Sequence, residues 1–248
     1  MGVKIALCQM KSTDDDVGAN LDSIKRSMTH ADADLYVFPE LFLSGPDADH
    51  AAAKEDVEFA VDRMSVWCSE KDVALVFGAP SYVGGTVRDS VYFVTQNGAV
   101  RYDGLHLPEE NRAFTRGKGP AVADFKGMRF GLLLGHDLFF PELTRFYAEN
   151  GVRVNICLAA SAGRDLELQD RLLNARSLEC LAYTVFANGL GAHGAGRSRL
   201  IGPLGDTLFE ADGRESIDCV YVDDEVVSKA RGVRRHLAER RRDILWRI

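Results

Sequence analysis

The run VRVNICLAA, residues 152 to 160, is apolar at consecutive positions, so a strand formed there has no solvent face and must be covered on both sides. The segment after it, LELQDRLLNARSLECLAY, carries the period of a long amphipathic helix, and TVFANGL returns to a strand. Elsewhere VKIALCQM at 3 to 10 reads as a strand, a loop runs through DDDVGAN, and a helix extends from about 20 to 29. DLYVFPEL reads as an apolar strand ending in Glu40 after Pro39, followed by a helix over 51 to 70 and the strand ALVFGAP at 74 to 80. Two hairpins follow: residues 89 to 104 turn at Asn97-Gly98, and VADFKGMRFGLLLGHD turns at Lys126-Gly127. A helix over 141 to 149 opens on a proline suited to a first turn, and a third hairpin is centred on Pro203-Leu204-Gly205 before the last strand, SIDCVYVDD. This alternation predicts α/β sheets covered by helices on their outer faces.

The apolar runs are evenly spread over 248 residues, which predicts one domain over 1 to 248. Its tail, 230 to 248, ends in ILWRI among many arginines, and such apolar residues would be wasted in water, so the tail is expected to pack on the body or on a second subunit. The formal net charge of −7 disfavours nucleic acid and anionic membrane surfaces as partners. No run approaches the roughly 20 apolar residues that cross a bilayer, and MGVKIALCQM has no secretory-signal pattern, so a cytoplasmic protein is expected. The five cysteines are widely spaced with no CxxC pair, which fits a reducing compartment and small core side chains, Cys8, Cys157, Cys180 and Cys219 among them. Neither His nor Asp spacing supports a metal site, and no cofactor is called for.

Several segments in order, IALCQM, VFPELFLSG at 37 to 45, Tyr102 with HLPEENRAFTRG at 106 to 117, FGLLLGHDLFFPE at 130 to 142, NARSLECLAYTVFANGLG at 174 to 191 and RLIGPLGDTL at 199 to 208, resemble the nitrilase or carbon–nitrogen hydrolase superfamily. The resemblance implies a four-layer α-β-β-α sandwich, a homodimer, and a site that cleaves non-peptide C–N bonds with a cysteine nucleophile, a glutamate base, an oxyanion-stabilising lysine and a second glutamate. The base matches Glu40. The second glutamate matches Glu110, with Glu109 the alternative. In the tyrosine-x-lysine-x-histidine-leucine pattern Gly104 stands in the lysine's place, between Tyr102 and His106. In the cysteine-x-aspartate segment Gly135 stands where the thiol belongs, two residues before Asp137.

Glycine offers neither nucleophile nor cation, so the acyl-enzyme route is closed. Arg101 is no simple substitute for the lysine, being three residues earlier on a strand. His136 is the candidate substitute for the missing cysteine, weighed against a structural or ligand-contacting role, and His106 reads as structural. Ser161 falls in a region that faces substrate in the family but has no sequence-adjacent histidine to activate it. A cavity widened by the loss of two side chains, with Glu40, Glu110, Gly104, Gly135, His136 and Ser161 on its wall, suits an amine- or amide-containing small molecule, a cationic one included. The leading expectation is therefore a pseudoenzyme that binds such a ligand or a partner. The alternative is an enzyme of cysteine-independent chemistry, condensation, cyclisation or elimination, with Glu40 as general base, and a structural role in a larger assembly is the third.

Overall fold

Chain order in the computed structural model, which describes residues 1–46, 49–50, 53–108, 113–191 and 194–241, begins with β1 (Gly2–Gln9), α1 (Val17–His30), β2 (Leu35–Val37) and α2 (Lys54–Lys71). Next come β3 (Ala74–Val83), β4 (Thr86–Thr95), β5 (Gly98–Asp103), β6 (Val122–Phe125) and β7 (Met128–Leu134). A 3-10 turn at Gly135–Phe139 leads into α3 (Pro141–Glu149), then β8 (Val154–Ala159), α4 (Gly163–Cys180) and β9 (Tyr183–Asn188). The chain continues through β10 (Arg199–Ile201), β11 (Thr207–Glu210), β12 (Ser216–Asp223), α5 (Asp224–Val233) and α6 (His236–Glu239).

These strands form two six-stranded mixed sheets, ordered β12-β1-β2-β3-β4-β5 and β11-β10-β9-β8-β7-β6. Each has a parallel centre, β1-β2-β3 in the first and β7-β8-β9 in the second, with antiparallel pairs outside it. Alternation along β1 explains the layering: Ile5 and Leu7 point into the core shared with Leu132, Ile156 and Val185 of the second sheet, while Ala6 and Cys8 pack with Ile24 of α1 and Met64 of α2. Together with α3 and α4 on the second sheet this makes the four-layer α-β-β-α sandwich. Each fully buried Leu, Ile or Phe contributes about 1.5–3 kcal/mol, so the two cores outweigh the weak intrinsic preference of any one short strand.

Helix α1 starts three residues before the sequence-based expectation because the Asp16 carboxylate caps it, accepting from the Ala19 amide at 2.8 Å. Asn20, expected at the helix start, instead turns inward and bonds Leu43 O at 3.0 Å, tying the loop after β2 to α1. That loop begins early. Phe38 N still donates to Val76 O at 2.8 Å, but Pro39 has no amide to continue the ladder. Cys219 departs from expectation: it is exposed, because β12 is an edge strand on which Val220 and Val222 take the inward positions. The tail meets the body at Leu237, which packs against Ala148, Cys180 and Ala182, and at Arg231, which donates to the carbonyls of Val152 and Leu181. Residues 242 to 248 lie outside the described residues.

Candidate functional site

The C-terminal ends of β2, β5, β7 and β8 converge, and the polar side chains singled out in the sequence gather there. Glu40 sits in the turn after β2, half-buried, with its Oε2 accepting from the Ala160 amide just past β8 at 3.1 Å. Its backbone rests on Gly78 of β3, whose amide donates to Pro39 O at 3.0 Å. A Cβ at Gly78 would stand 2.6 Å from Glu40 Cα and 2.2 Å from Leu41 N, so glycine is what allows this approach.

Sequence reasoning missed the partner of Glu40. Asp89 of β4, 1% exposed, faces Glu40 within hydrogen-bond reach, and among the described residues no amide or hydroxyl donor meets either of its carboxylate oxygens in full bonding geometry. Two carboxyls in such contact require a proton between them. Burial pushes both above the ordinary carboxylate range, Asp89 to about 7, and Glu40, further opposed by the charge of Asp89, holds the proton. The Ser90 amide exerts only a lesser opposing pull on Asp89. A readable signal existed, an acid leading the apolar strand DSVYFVT, but an acid in that place also reads as a turn residue.

Asp137 is fully buried and well satisfied. Its Oδ2 accepts from Tyr102 Oη at 2.7 Å and Leu134 N at 2.9 Å, and its Oδ1 from His106 N at 3.2 Å, with His106 Nδ1 at 2.9 Å. The His106 ring also stacks on Phe140 with centroids 3.7 Å apart. His106 is thus held on two sides, in keeping with a structural role, while burial and the Asp137 charge keep the Tyr102 phenol protonated.

The two glycines do not leave the widened cavity expected from sequence. At Gly135 a Cβ would lie 3.0 Å from Gln169 Nε2 and 3.1 Å from Ala159 Cβ. At Gly104 it would lie 2.7 Å from Leu134 Cδ1 and 3.2 Å from Leu107 Cδ2. Neighbouring atoms thus crowd the positions where a side chain at either glycine would start. Gln169, 3% exposed and with its Oε1 unpartnered, was also missed; its signal is a polar residue in register with Leu166 and Leu173 on the buried face of α4.

His136, half-buried, lies with its ring 5.4 Å from Phe139 and 5.7 Å from Phe140. Ser161 is anchored through its backbone, its amide donating to Asn188 Oδ1 and its carbonyl accepting from Asn188 Nδ2, both at 2.8 Å. Arg101 is turned away onto Asp103 at 2.8 Å, so it brings no cation to Glu40. Cys157 is buried, and burial pushes its thiol well above the ordinary range, which leaves it inert. Glu110 and Glu109 lie outside the described residues. Among the described residues no group of three or more His, Cys, Asp or Glu side chains has the arrangement to hold a metal ion, and no helix is long and apolar enough to cross a membrane.

The sequence profile of the carbon-nitrogen hydrolases matches residues 4–231. An (R)-stereoselective amidase of a Pseudomonas species is 30% identical, over 96% of this chain and 92% of that protein. Among solved structures, a cysteine mutant of the amidase from Nesterenkonia sp. AN1 in complex with butyramide, its cysteine replaced by alanine, is 27% identical with a TM-score of 0.81, over 93% of this chain and 95% of that one. The CN-hydrolase superfamily protein XC1258 of Xanthomonas campestris superposes with a TM-score of 0.87 over 99% of both chains at 19% identity, a likeness of fold.

Proposed function

Because the chain belongs to the carbon-nitrogen hydrolase family, we propose that it keeps the family's fold to bind a small amide- or amine-containing molecule beside Glu40 and does not hydrolyse it through a covalent cysteine intermediate. The observation that carries this reading is the pair of glycines, Gly104 and Gly135, with Leu134 and Gln169 packed over their Cβ positions. Acyl transfer needs a nucleophile and a donor aimed at the developing oxyanion, and neither glycine supplies one. Binding needs neither. The Nesterenkonia amidase holds butyramide with its cysteine replaced by alanine, which supports ligand capture by a site of this shape without a thiol. In this reading the protein is a cytoplasmic homodimer and a pseudoenzyme.

Cysteine-independent catalysis with Glu40 as general base is less well supported, because the contact with Asp89 keeps a proton on Glu40. Were the site chemical, Glu40 would serve as the acid and Asp89 as the base. The test is to incubate the full chain with a panel of aliphatic amides, nitriles and N-carbamoyl amines while following product release, and to record thermal stability with each compound. No turnover, with a rise in melting temperature for at least one amide or amine, is the expected result. Turnover that disappears in Glu40→Gln would refute the binding-only reading.

A further inference from the structure

Among the described residues, the buried atoms of the site that no amide or hydroxyl donor meets are acceptors: both carboxylate oxygens of Asp89, which has the Glu40 carboxyl against it, and the side-chain oxygen of Gln169. One chain of contacts links them. Gln169 Nε2 and Ala159 Cβ flank the Gly135 Cβ position, the amide of the next residue, Ala160, bonds Glu40, and Glu40 contacts Asp89. Asp89 is tied back to the same place through its carbonyl, which accepts from Gly104 N at 2.9 Å. A wall of acceptors with a proton held between two carboxyls calls for a ligand that brings donors and positive charge.

We propose that the Glu40–Asp89 pair is a proton-exchanging seat for an amidinium or guanidinium group, so that a planar cation enters against the two carboxyls as a proton leaves them. A carboxamide offers two N–H donors and one oxygen, and that oxygen must face acceptors. An amidinium of the same shape offers four N–H donors and no acceptor, and its fork geometry matches a carboxylate. The inference rests on reading the site as a ligand-binding one.

The other ionisable groups around the pair leave this role to it. From the 3-10 turn Asp137 is saturated by Tyr102, Leu134 and His106, and His136 packs near Phe139 and Phe140. On β4 and β5 Arg88 is spent on Asp103 at 2.8 Å, as is Arg101. From β8 the Cys157 thiol stays protonated, chiefly because it is buried and further because the Asp137 charge opposes its ionisation. Among the described residues, the charged groups acting on Glu40 and Asp89 are carboxylates, which strengthen the attraction for a cation.

Isothermal titration of the full chain with butyramidinium chloride and with butyramide, at pH 6, 7 and 8 in two buffers of different ionisation enthalpy, tests the proposal. Butyramidinium is expected to bind at least about tenfold more tightly than butyramide at pH 8, with its Kd falling by about tenfold from pH 6 to pH 8 and up to about one proton released per ligand at pH 6. In Asp89→Asn the preference and the proton release should both vanish. The two wild-type titrations decide the matter even if that variant misfolds. Butyramide binding as well as butyramidinium, without proton release, would overturn the cation seat and leave the amide-binding reading standing. If neither probe binds, that reading falls and the seat falls with it.

Discussion

The side-chain amide of Gln169 lies 3.0 Å from the point where a Cβ on Gly135 would stand. A residue from α4 is thus placed inward against Gly135, and the site is packed around glycine there. Gly135→Cys is expected to lower stability by about 1–3 kcal/mol, since the added atoms must push Gln169 or Ala159 aside. Gln169→Ala in that background should recover part of the loss. Urea unfolding of the three proteins measures this, and a Gly135→Cys protein as stable as the wild type would show that Gln169 does not fill the place. If Gly104 stands in the place of the family's lysine, as proposed, intact mass of Gly135→Cys after incubation with an amide should show no acyl adduct.

Asp137 gathers Tyr102 Oη, Leu134 N, His106 N and the His106 ring around one fully buried carboxylate. Asp137→Asn turns a donor toward some of those donors, so a loss of about 2–4 kcal/mol is expected. Tyr102→Phe removes one of the four contacts and leaves Leu105 N, which donates to Tyr102 Oη at 3.1 Å, without its acceptor, for a loss of about 1–2 kcal/mol. Denaturant midpoints that rank the two variants in the opposite order would contradict Asp137 as the hub.

The layered fold was legible because it depends on local pattern: the apolar run at 152 to 160 became β8, buried throughout, and the Lys126-Gly127 turn joins β6 to β7. Where the reading slipped, a tertiary partner decided the outcome. Asp16 capped α1 before the apolar period began, and edge position exposed Cys219. Glu40, Gly104 and Gly135 could be named from motif order. Asp89 and Gln169 could not, because their meaning lies in facing Glu40 and Gly135 from other elements of the fold, and each taken alone reads as an ordinary polar residue of a strand or helix.

Gly78 and Gly84 make a contrasting pair on the same strand and its turn. A methyl at Gly78 would meet backbone, Leu41 N at 2.2 Å and Glu40 Cα at 2.6 Å, which no rotamer change relieves. Gly84 has φ +58 but open space around it. Gly78→Ala should therefore cost on the order of 2–3 kcal/mol and displace Glu40, weakening butyramide or butyramidinium binding at least about tenfold. Gly84→Ala should cost about 1 kcal/mol through its left-handed backbone and leave binding unchanged. Equal effects of the two substitutions on affinity would show that the Gly78 contact does not set the position of Glu40.

The Glu40–Asp89 pair also fixes a sign for the dependence of stability on pH. In the unfolded chain an aspartate titrates near its ordinary value of about 3.9. In the folded protein burial raises Asp89 to about 7, so the native state binds this proton more tightly. The linked stabilisation is complete below the unfolded value and is lost as pH rises from about 4 through about 7, the reverse of an aspartate in an ion pair. Asparagine cannot ionise and so escapes the loss. Relative to wild type, Asp89→Asn should gain stability as pH rises, by on the order of 2 kcal/mol between pH 5 and pH 8. Urea unfolding of both proteins across that range reads the difference directly. A gap that stays constant with pH would mean that Asp89 is ionised in the folded protein throughout that range, and that burial does not raise it.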